Sequence, residues 1–252
     1  MVTFPLQSGS NGNCIYVEAE GIRLLLDAGI SGKQAALRLA AHDREIRDVD
    51  ALILSHDHGD HTRCAGIYQR KFGLPIYVTR PTLAACEWAL GRIDDVRPFT
   101  AGATLEFGGV RVHTIRTPHD GVDGVAFIVE AEGRRLAILT DLGHPFDALA
   151  DVLGSADAAY LESNYDPQML ATGWYPEFLK RRIRGDGGHL SNAEAAELVR
   201  RCGTHMQWVT LSHLSENNNT PALAAETFHE VVGKDLPCHV ASRYEVGEPR
   251  EV

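Results

Sequence analysis

The chain has 252 residues, which suits one large domain or two small ones, and its 44% hydrophobic content supports a sizeable core. The net charge of −10 argues against a protein that wraps nucleic acid by bulk electrostatics. No stretch approaches the roughly 18 apolar residues that a membrane span needs.

Two further features of the composition bear on the compartment. The first ten residues lack the basic region and apolar core of a signal peptide. The five cysteines are widely scattered and include no Cys-x-x-Cys pair, which argues against a disulfide framework and a zinc ribbon. We therefore expect a protein of the reducing cytoplasm without a membrane segment.

The first quarter of the chain predicts strands that lead into a polar loop. Residues 1–30 are predicted to form two strands, over 14–18 and 21–29, joined by tight turns. A helix over 31–42 follows, with Ser31 as its N-cap. Residues 51–54 form an apolar run without polar alternation, which indicates a buried strand.

The rest of the chain continues to alternate strands and helices. Residues 96–117 alternate as strands do, with Gly108-Gly109 as a hairpin turn, and residues 167–187 are predicted to be a long connection. Predicted helices cover 64–72, 81–90, 191–202 and 221–232, and predicted strands cover 75–78, 125–129, 133–143 and 207–211.

A weak internal similarity relates the two halves of the chain. Residues 21–29 and 133–143 both contain a glycine, a basic residue, an apolar strand and then Asp-x-Gly, and residues 50–56 resemble 157–163. Two such halves predict an α/β fold of four layers, an αββα sandwich with two pseudo-repeated halves. No linker divides the sequence, so we expect one domain over 1–252.

The densest group of metal-binding side chains follows the predicted strand at 51–54. Residues 55–61 read Ser-His-Asp-His-Gly-Asp-His, and histidine is rarely this frequent without a metal. His56 and His58 are two residues apart, so they point the same way on an extended chain. Asp60 and His61 follow a glycine and can turn towards a second point, which suggests two metals side by side.

Further candidate ligands recur at the ends of predicted strands. Together with the 55–61 cluster they suggest two sites, one of His56, His58 and His119 and one of Asp60, His61 and His213, with Asp141 as the bridge. Asp27 could accept the free N–H of a ligating histidine, or could instead cap its strand.

These motifs resemble the metallo-β-lactamase fold superfamily, whose His-x-His-x-Asp-His signature corresponds to residues 56–61. His119, Asp141 and His213 match the superfamily's later motifs. Segments 8–13, 161–166, 188–192 and 213–218 are similar to the WalJ/YycJ-like branch. This resemblance implies a bacterial cytoplasmic nuclease that digests DNA from 5′ to 3′.

Other residues suggest how such an enzyme would handle a phosphate ester. A basic run precedes a glycine-rich turn and could contact phosphate, or could be a solvated helix face: Lys180, Arg181, Arg182 and Arg184. His189, just before a helix, is predicted to contact the scissile phosphate or protonate the leaving oxygen. Asp60 would bind a metal and orient the nucleophile. The ligands suit zinc, manganese or iron.

Two other functions fit the same metal ligands. A hydrolase of small esters, thioesters or lactones would act on largely uncharged substrates and would not need the basic run. A non-catalytic regulatory protein could use the metals structurally, but the intact signature disfavours this. The primary prediction is a phosphodiesterase or 5′–3′ exonuclease with two divalent metal ions and nucleic acid as substrate.

Overall fold

The computed structural model describes residues 1–252 and contains two seven-stranded sheets. The strands are β1 (Val2–Gln7), β2 (Cys14–Ala19), β3 (Ile22–Leu26), β4 (Ala51–Ile53), β5 (Ile76–Thr79), β6 (Val96–Phe99), β7 (Thr104–Phe107), β8 (Val110–Arg116), β9 (Val125–Ala131), β10 (Arg134–Leu139), β11 (Ala158–Glu162), β12 (Trp208–Ser212), β13 (Cys238–Val240) and β14 (Arg250–Glu251). The first sheet has the order β14-β1-β2-β3-β4-β5-β6, and the second has the order β13-β12-β11-β10-β9-β8-β7.

The structure contains nine α-helices, and none is both long and apolar enough to cross a bilayer. The helices are α1 (Gly32–Ala40), α2 (Gly59–Thr62), α3 (Ala65–Phe72), α4 (Arg80–Leu90), α5 (Asp147–Ser155), α6 (Pro167–Thr172), α7 (Glu177–Arg184), α8 (Asn192–Cys202) and α9 (Pro221–Val232). Local capping fixes several starts, as predicted at Ser31, whose side chain accepts from the Gln34 amide, and at Ser191, which forms a capping box with Glu194.

The two sheets repeat one pattern of strand directions. Strand β3 pairs antiparallel with β2 and parallel with β4, and β10 likewise pairs antiparallel with β9 and parallel with β11. These are the segments whose sequences resemble one another, so the predicted pseudo-repeat is confirmed. Parallel strands point their carboxyl ends to one edge, which gathers the residues that follow β3, β4, β10, β11 and β12.

Three large apolar clusters separate the layers. One of 21 buried residues lies between the sheets and includes Leu26 and Ile53 of the first sheet and Phe127 and Tyr160 of the second. A second cluster packs α1, α3 and α4 on the first sheet, and a third packs α5, α8 and α9 on the second. This is the predicted αββα sandwich.

The structure corrects two sequence predictions. Residues 1–30 hold three strands rather than two, because β1 forms despite Pro5. Its neighbour β14 pairs only with Val2 and Thr3, so the proline, which lacks an N–H donor, lies beyond the paired part of that edge. The predicted connection over 167–187 contains α6 and α7, and α5 was also missed.

Candidate metal centre

The candidate site lies where strands of both sheets end. Asp27 follows β3, Asp141 follows β10 and His213 follows β12. All three residues adopt left-handed backbone angles, with φ of 67°, 56° and 56°. Asp tolerates this region better than most residues, and the turn redirects each side chain from the strand to the rim.

The 55–61 cluster folds back on itself through a single helical turn. His58 is the N-cap of α2, so Asp60 and His61 lie on that turn and reach the same rim. The ring centroid of His56 lies 4.6 Å from that of His58 and 4.2 Å from that of His61. Backbone bonds hold the turn in place, since the Asn13 amide donates to the Asp60 carbonyl at 2.8 Å.

One group of donors contains His56, His58 and His119, and its ligand atoms lie within 4.8 Å of one another. Nδ1–H of His119 donates to the Gly188 carbonyl at 2.7 Å, which leaves Nε2 free to bind a metal. That Nε2 lies 3.2 Å from Nδ1 of His58, and Nε2 of His58 lies 3.4 Å from Asp120. Nδ1 of His119 and Nε2 of His58 therefore already have partners, whereas Nε2 of His119 and Nδ1 of His58 face each other.

A second group contains Asp60, His61 and His213. Nε2 of His213 lies 3.2 Å from Oδ2 of Asp60. Nδ1–H of His61 donates to Oδ2 of Asp27 at 2.6 Å. Asp27 therefore has the geometry of the first of its two predicted roles, an acceptor for the free N–H of a candidate ligand. Asp27 also accepts from the amide of Ser55 at 2.8 Å, so it caps the neighbouring strand end as well.

Asp141 lies between the two groups. Its Oδ2 is 3.0 Å from Nε2 of His61, and its Oδ1 is 3.5 Å from Nε2 of His119 and from Nδ1 of His213. The short contact to His61 does not have hydrogen-bond geometry, so Oδ2 of Asp141, like Nε2 of His56, is buried without a hydrogen-bond partner. Unsatisfied buried polar atoms are rare and costly, and divalent cations held here would satisfy both. The donor set therefore fits divalent metal ions.

The electrostatics of the cluster agree with this fit. Burial and the neighbouring charge of His61 hold the pKa of His56 well below its usual value, which suits a neutral metal ligand. Burial opposes a charged ring at His213, but Asp141 and Asp60 outweigh it and raise its pKa to about 10. Burial also opposes charge at Asp141, yet His213 and His61 hold its pKa well below the usual range. Metal binding would displace such protons.

Glu162 belongs to the site and was missed from the sequence. It is fully buried at the end of β11, and its Oε1 accepts from Nδ1–H of His189 at 2.6 Å. Burial opposes its charge, but His189 lowers the pKa of Glu162 to about 2. Its Oε2 accepts from the amides of Leu142 and Leu190 at 3.0 Å and 3.3 Å. The sequence did contain a signal for Glu162, because a carboxylate at the end of an apolar strand had already identified Asp141 as a candidate.

The basic run does not reach the site as one block. Nζ of Lys180 is directed away and donates to the Ala171 carbonyl at 2.7 Å, Arg184 pairs with Glu177, and Arg181 is exposed. Only Arg182 lines the cavity of about 310 Å³ over the cluster, together with His189 and Asp60. Arg182 also forms two hydrogen bonds to Asp120, of 2.6 Å and 3.0 Å.

Residues 8–174 match the family model of the metallo-beta-lactamase superfamily. The chain belongs to this superfamily, as the signature predicted, and it is a metal-dependent hydrolase. Zn²⁺-bound PqqB from Methylobacterium extorquens has the same fold, with a TM-score of 0.75 and 18% identity over the full length of both chains.

Two relatives are much more similar in sequence. The chain is 36% identical over 227 residues to exodeoxyribonuclease WalJ of Streptococcus pneumoniae serotype 2, which covers 88% of this chain and 84% of that protein. It is 35% identical over 230 residues to exodeoxyribonuclease YycJ of Bacillus anthracis, which covers 90% of this chain and 87% of that protein. The chain is therefore a member of the WalJ/YycJ-like branch, as its shorter motifs predicted.

Proposed function

We propose that this hydrolase is a cytoplasmic DNA exonuclease that cleaves phosphodiester bonds, with polarity from 5′ to 3′. The main support for this proposal is the cavity over the candidate metal ligands. None of the eight residues that line this cavity is hydrophobic. Asp60, Asp141 and His213 lie on its metal side, and Arg182 and His189 also line it. A phosphate group suits this composition because it takes metal ions and a guanidinium together. The exodeoxyribonuclease names of both relatives support the same substrate.

The proposed cofactor is a pair of divalent ions, zinc or manganese, with iron as a further option. His56, His58 and His119 would hold one ion, Asp60, His61 and His213 the other, and Asp141 would contribute to both. When bound, such ions supply Lewis-acid chemistry, activating water near neutral pH and offsetting charge on phosphate oxygens.

The protein's own groups would handle orientation and proton transfer. The Asp60 carboxylate lies 3.2 Å from Nε2 of His213 and 3.4 Å from the side-chain nitrogen Nδ2 of Asn13. These contacts hold the carboxylate in one direction, in which it would orient the attacking water. Since Nδ1 of His189 donates to Glu162, its Nε2 is the nitrogen left to serve the cavity. His189 would protonate the leaving oxygen, and Glu162 would hold the ring and stabilise its charged form.

A hydrolase of small uncharged esters, thioesters or lactones remains the second candidate because it would use the same metals. The cavity offers no apolar wall for an acyl chain, and it places a guanidinium where such a substrate has no charge to meet. This observation favours the phosphodiester.

The deciding experiment combines elemental analysis with digestion of DNA labelled at either end, single-stranded or nicked, beside a thioester panel. We expect about two metal ions per chain and release of nucleotides from the 5′ end, with manganese and zinc compared. Turnover of thioesters with DNA left intact in the fully loaded protein would refute the proposal.

A further inference from the structure

Two large aromatic side chains near the site stand in solvent. Trp174 is 77% exposed and Phe178 is 68% exposed, although aromatic residues contribute most when buried. They lie four residues apart, Trp174 in the turn before α7 and Phe178 in its first turn. Two exposed aromatic side chains so close together on one segment make that segment a candidate binding surface.

Hydrogen bonds connect both ends of the segment 174–184 to residues at the candidate active site. The neighbouring Tyr175 accepts a hydrogen bond of 3.0 Å from Asn217, in the loop that follows the candidate ligand His213. At the other end Arg182 binds Asp120, which in turn lies 3.4 Å from His58. Tyr175, the neighbour of Trp174, and Arg182, one helical turn beyond Phe178, therefore both hold the segment at the rim of the cavity.

The segment also carries net positive charge, although the protein as a whole is acidic. Residues 174–184 contain four basic residues and one acidic residue, a net charge of +3, in a chain whose net charge is −10. Arg181 is exposed and has no carboxylate partner. Positive charge beside exposed aromatic rings is the combination by which proteins hold single-stranded nucleic acid.

Helix geometry places these groups in a row. Phe178, Arg181 and Arg182 are spaced at i, i+3 and i+4, so they share one face of α7. Phe178 and Arg182 differ in height by about 6 Å along the helix, at 1.5 Å per residue. The row runs from the exposed rings to the guanidinium that lines the cavity.

We propose that Trp174, Phe178 and Arg181 form a stacking platform for the unpaired bases of a single-stranded DNA end. The inference rests on the proposed nuclease function and specifies the form of its substrate. Rings stack on the flat face of any base, so recognition is independent of sequence, but a base inside a duplex does not offer that face. The enzyme would therefore draw on single-stranded ends, with the platform holding nucleotides next to the cleaved one.

The test compares Trp174→Ala and Phe178→Ala with Trp88→Ala in the metal-loaded protein. Trp88 is 86% exposed on α4, which packs on the first sheet, so it is a matched exposed tryptophan outside the platform. Each platform variant should raise KM for a single-stranded oligonucleotide about 5- to 100-fold, the usual effect of losing one stacked base, with the change in KM rather than in kcat. Trp88→Ala should leave KM within twofold.

A second measurement separates stacking from loss of structure. Abasic sites at the second to fifth nucleotides should raise KM for the wild type but add little in Trp174→Ala, because the partner ring is already absent. An equal abasic penalty in both proteins, or a changed oligomeric state with unchanged KM, would overturn the platform while DNA digestion by the wild type upheld the nuclease. If the wild type left DNA intact, both proposals would fall.

Discussion

Glu162 and His189 are joined by a contact of 2.6 Å between Oε1 and Nδ1, at the boundary between the buried sheet and the open cavity. The glutamate is fully buried and the histidine side chain is 17% exposed. In the proposed mechanism, this pairing lets a charge inside the protein set the orientation of the group that would meet the substrate.

Glu162→Gln should therefore lower kcat about 100-fold, because an amide cannot stabilise a charged imidazole as a carboxylate does. His189→Ala should lower kcat at least as much. The double variant should be no slower than His189→Ala, since the glutamate acts through the histidine. Elemental analysis is the control, and a loss of metal in Glu162→Gln would show that the carboxylate holds the ions instead.

Asp27→Asn should weaken metal binding about 10- to 100-fold, measured by competition with a chelator. Oδ2 of Asp27 accepts from His61 at 2.6 Å and from the Ser55 hydroxyl at 2.9 Å, and that hydroxyl lies 2.9 Å from Nδ1 of His56. Both rings thus depend on one carboxylate. Asparagine tolerates the φ of 67°, so the change removes charge without backbone strain.

The matched control for that variant is Asp43→Asn. Asp43 is also left-handed, with φ of 58°, but it is exposed after α1 and contacts no candidate ligand. It should bind metal as the wild type does. Equal affinities in the two variants would mean that Asp27 is only a strand cap.

Gly29→Ala should lower both the melting temperature and the metal content. A Cβ at this position would overlap the carbonyl oxygen of Asp60, in the turn that carries two candidate ligands. The turn would have to move, and a large destabilisation of this kind has a named steric cause. The control is Gly59→Ala, in the turn that carries Asp60. A Cβ at Gly59 would have no atom within 4 Å, so this variant should change neither the melting temperature nor the metal content. Normal metal content in Gly29→Ala would contradict this account.

Arg182→Gln should raise KM for single-stranded DNA about tenfold, the scale of a lost charge-assisted hydrogen bond. It should also reduce the dependence of log KM on log salt by about 0.7, the value for one phosphate contact on a single strand. Arg184→Gln is the control because that side chain pairs with Glu177. The same loss in both variants would indicate a general charge effect rather than a contact in the cavity.

The fold and the candidate ligands could be predicted from the sequence because both depend on the local pattern of apolar and polar residues. An apolar strand that ends in Asp or His is visible in one dimension, as at Asp141 and His213. The partner of Glu162 was not visible, since His189 is 27 residues away and meets it only across the rim. Which arginine of α7 faces the cavity depends on packing, because Ile183 and the stem of Lys180 are the parts that become buried.

The hairpin at Gly108-Gly109 illustrates the same limit. Strands β7 and β8 pair there as predicted, but β6, in the same alternating segment, joins the other sheet. Alternation identifies a strand without naming its sheet, because that choice depends on contacts between distant residues.

The division of the candidate ligands between the two sheets has a consequence for synthesis. The first four, His56 to His61, emerge from the ribosome early, but the set is complete only after His213 has been made. A nascent or prematurely terminated chain that stops short of that histidine lacks one ligand of the second group. In the proposed nuclease, DNA cleavage would therefore begin only after synthesis has passed this residue.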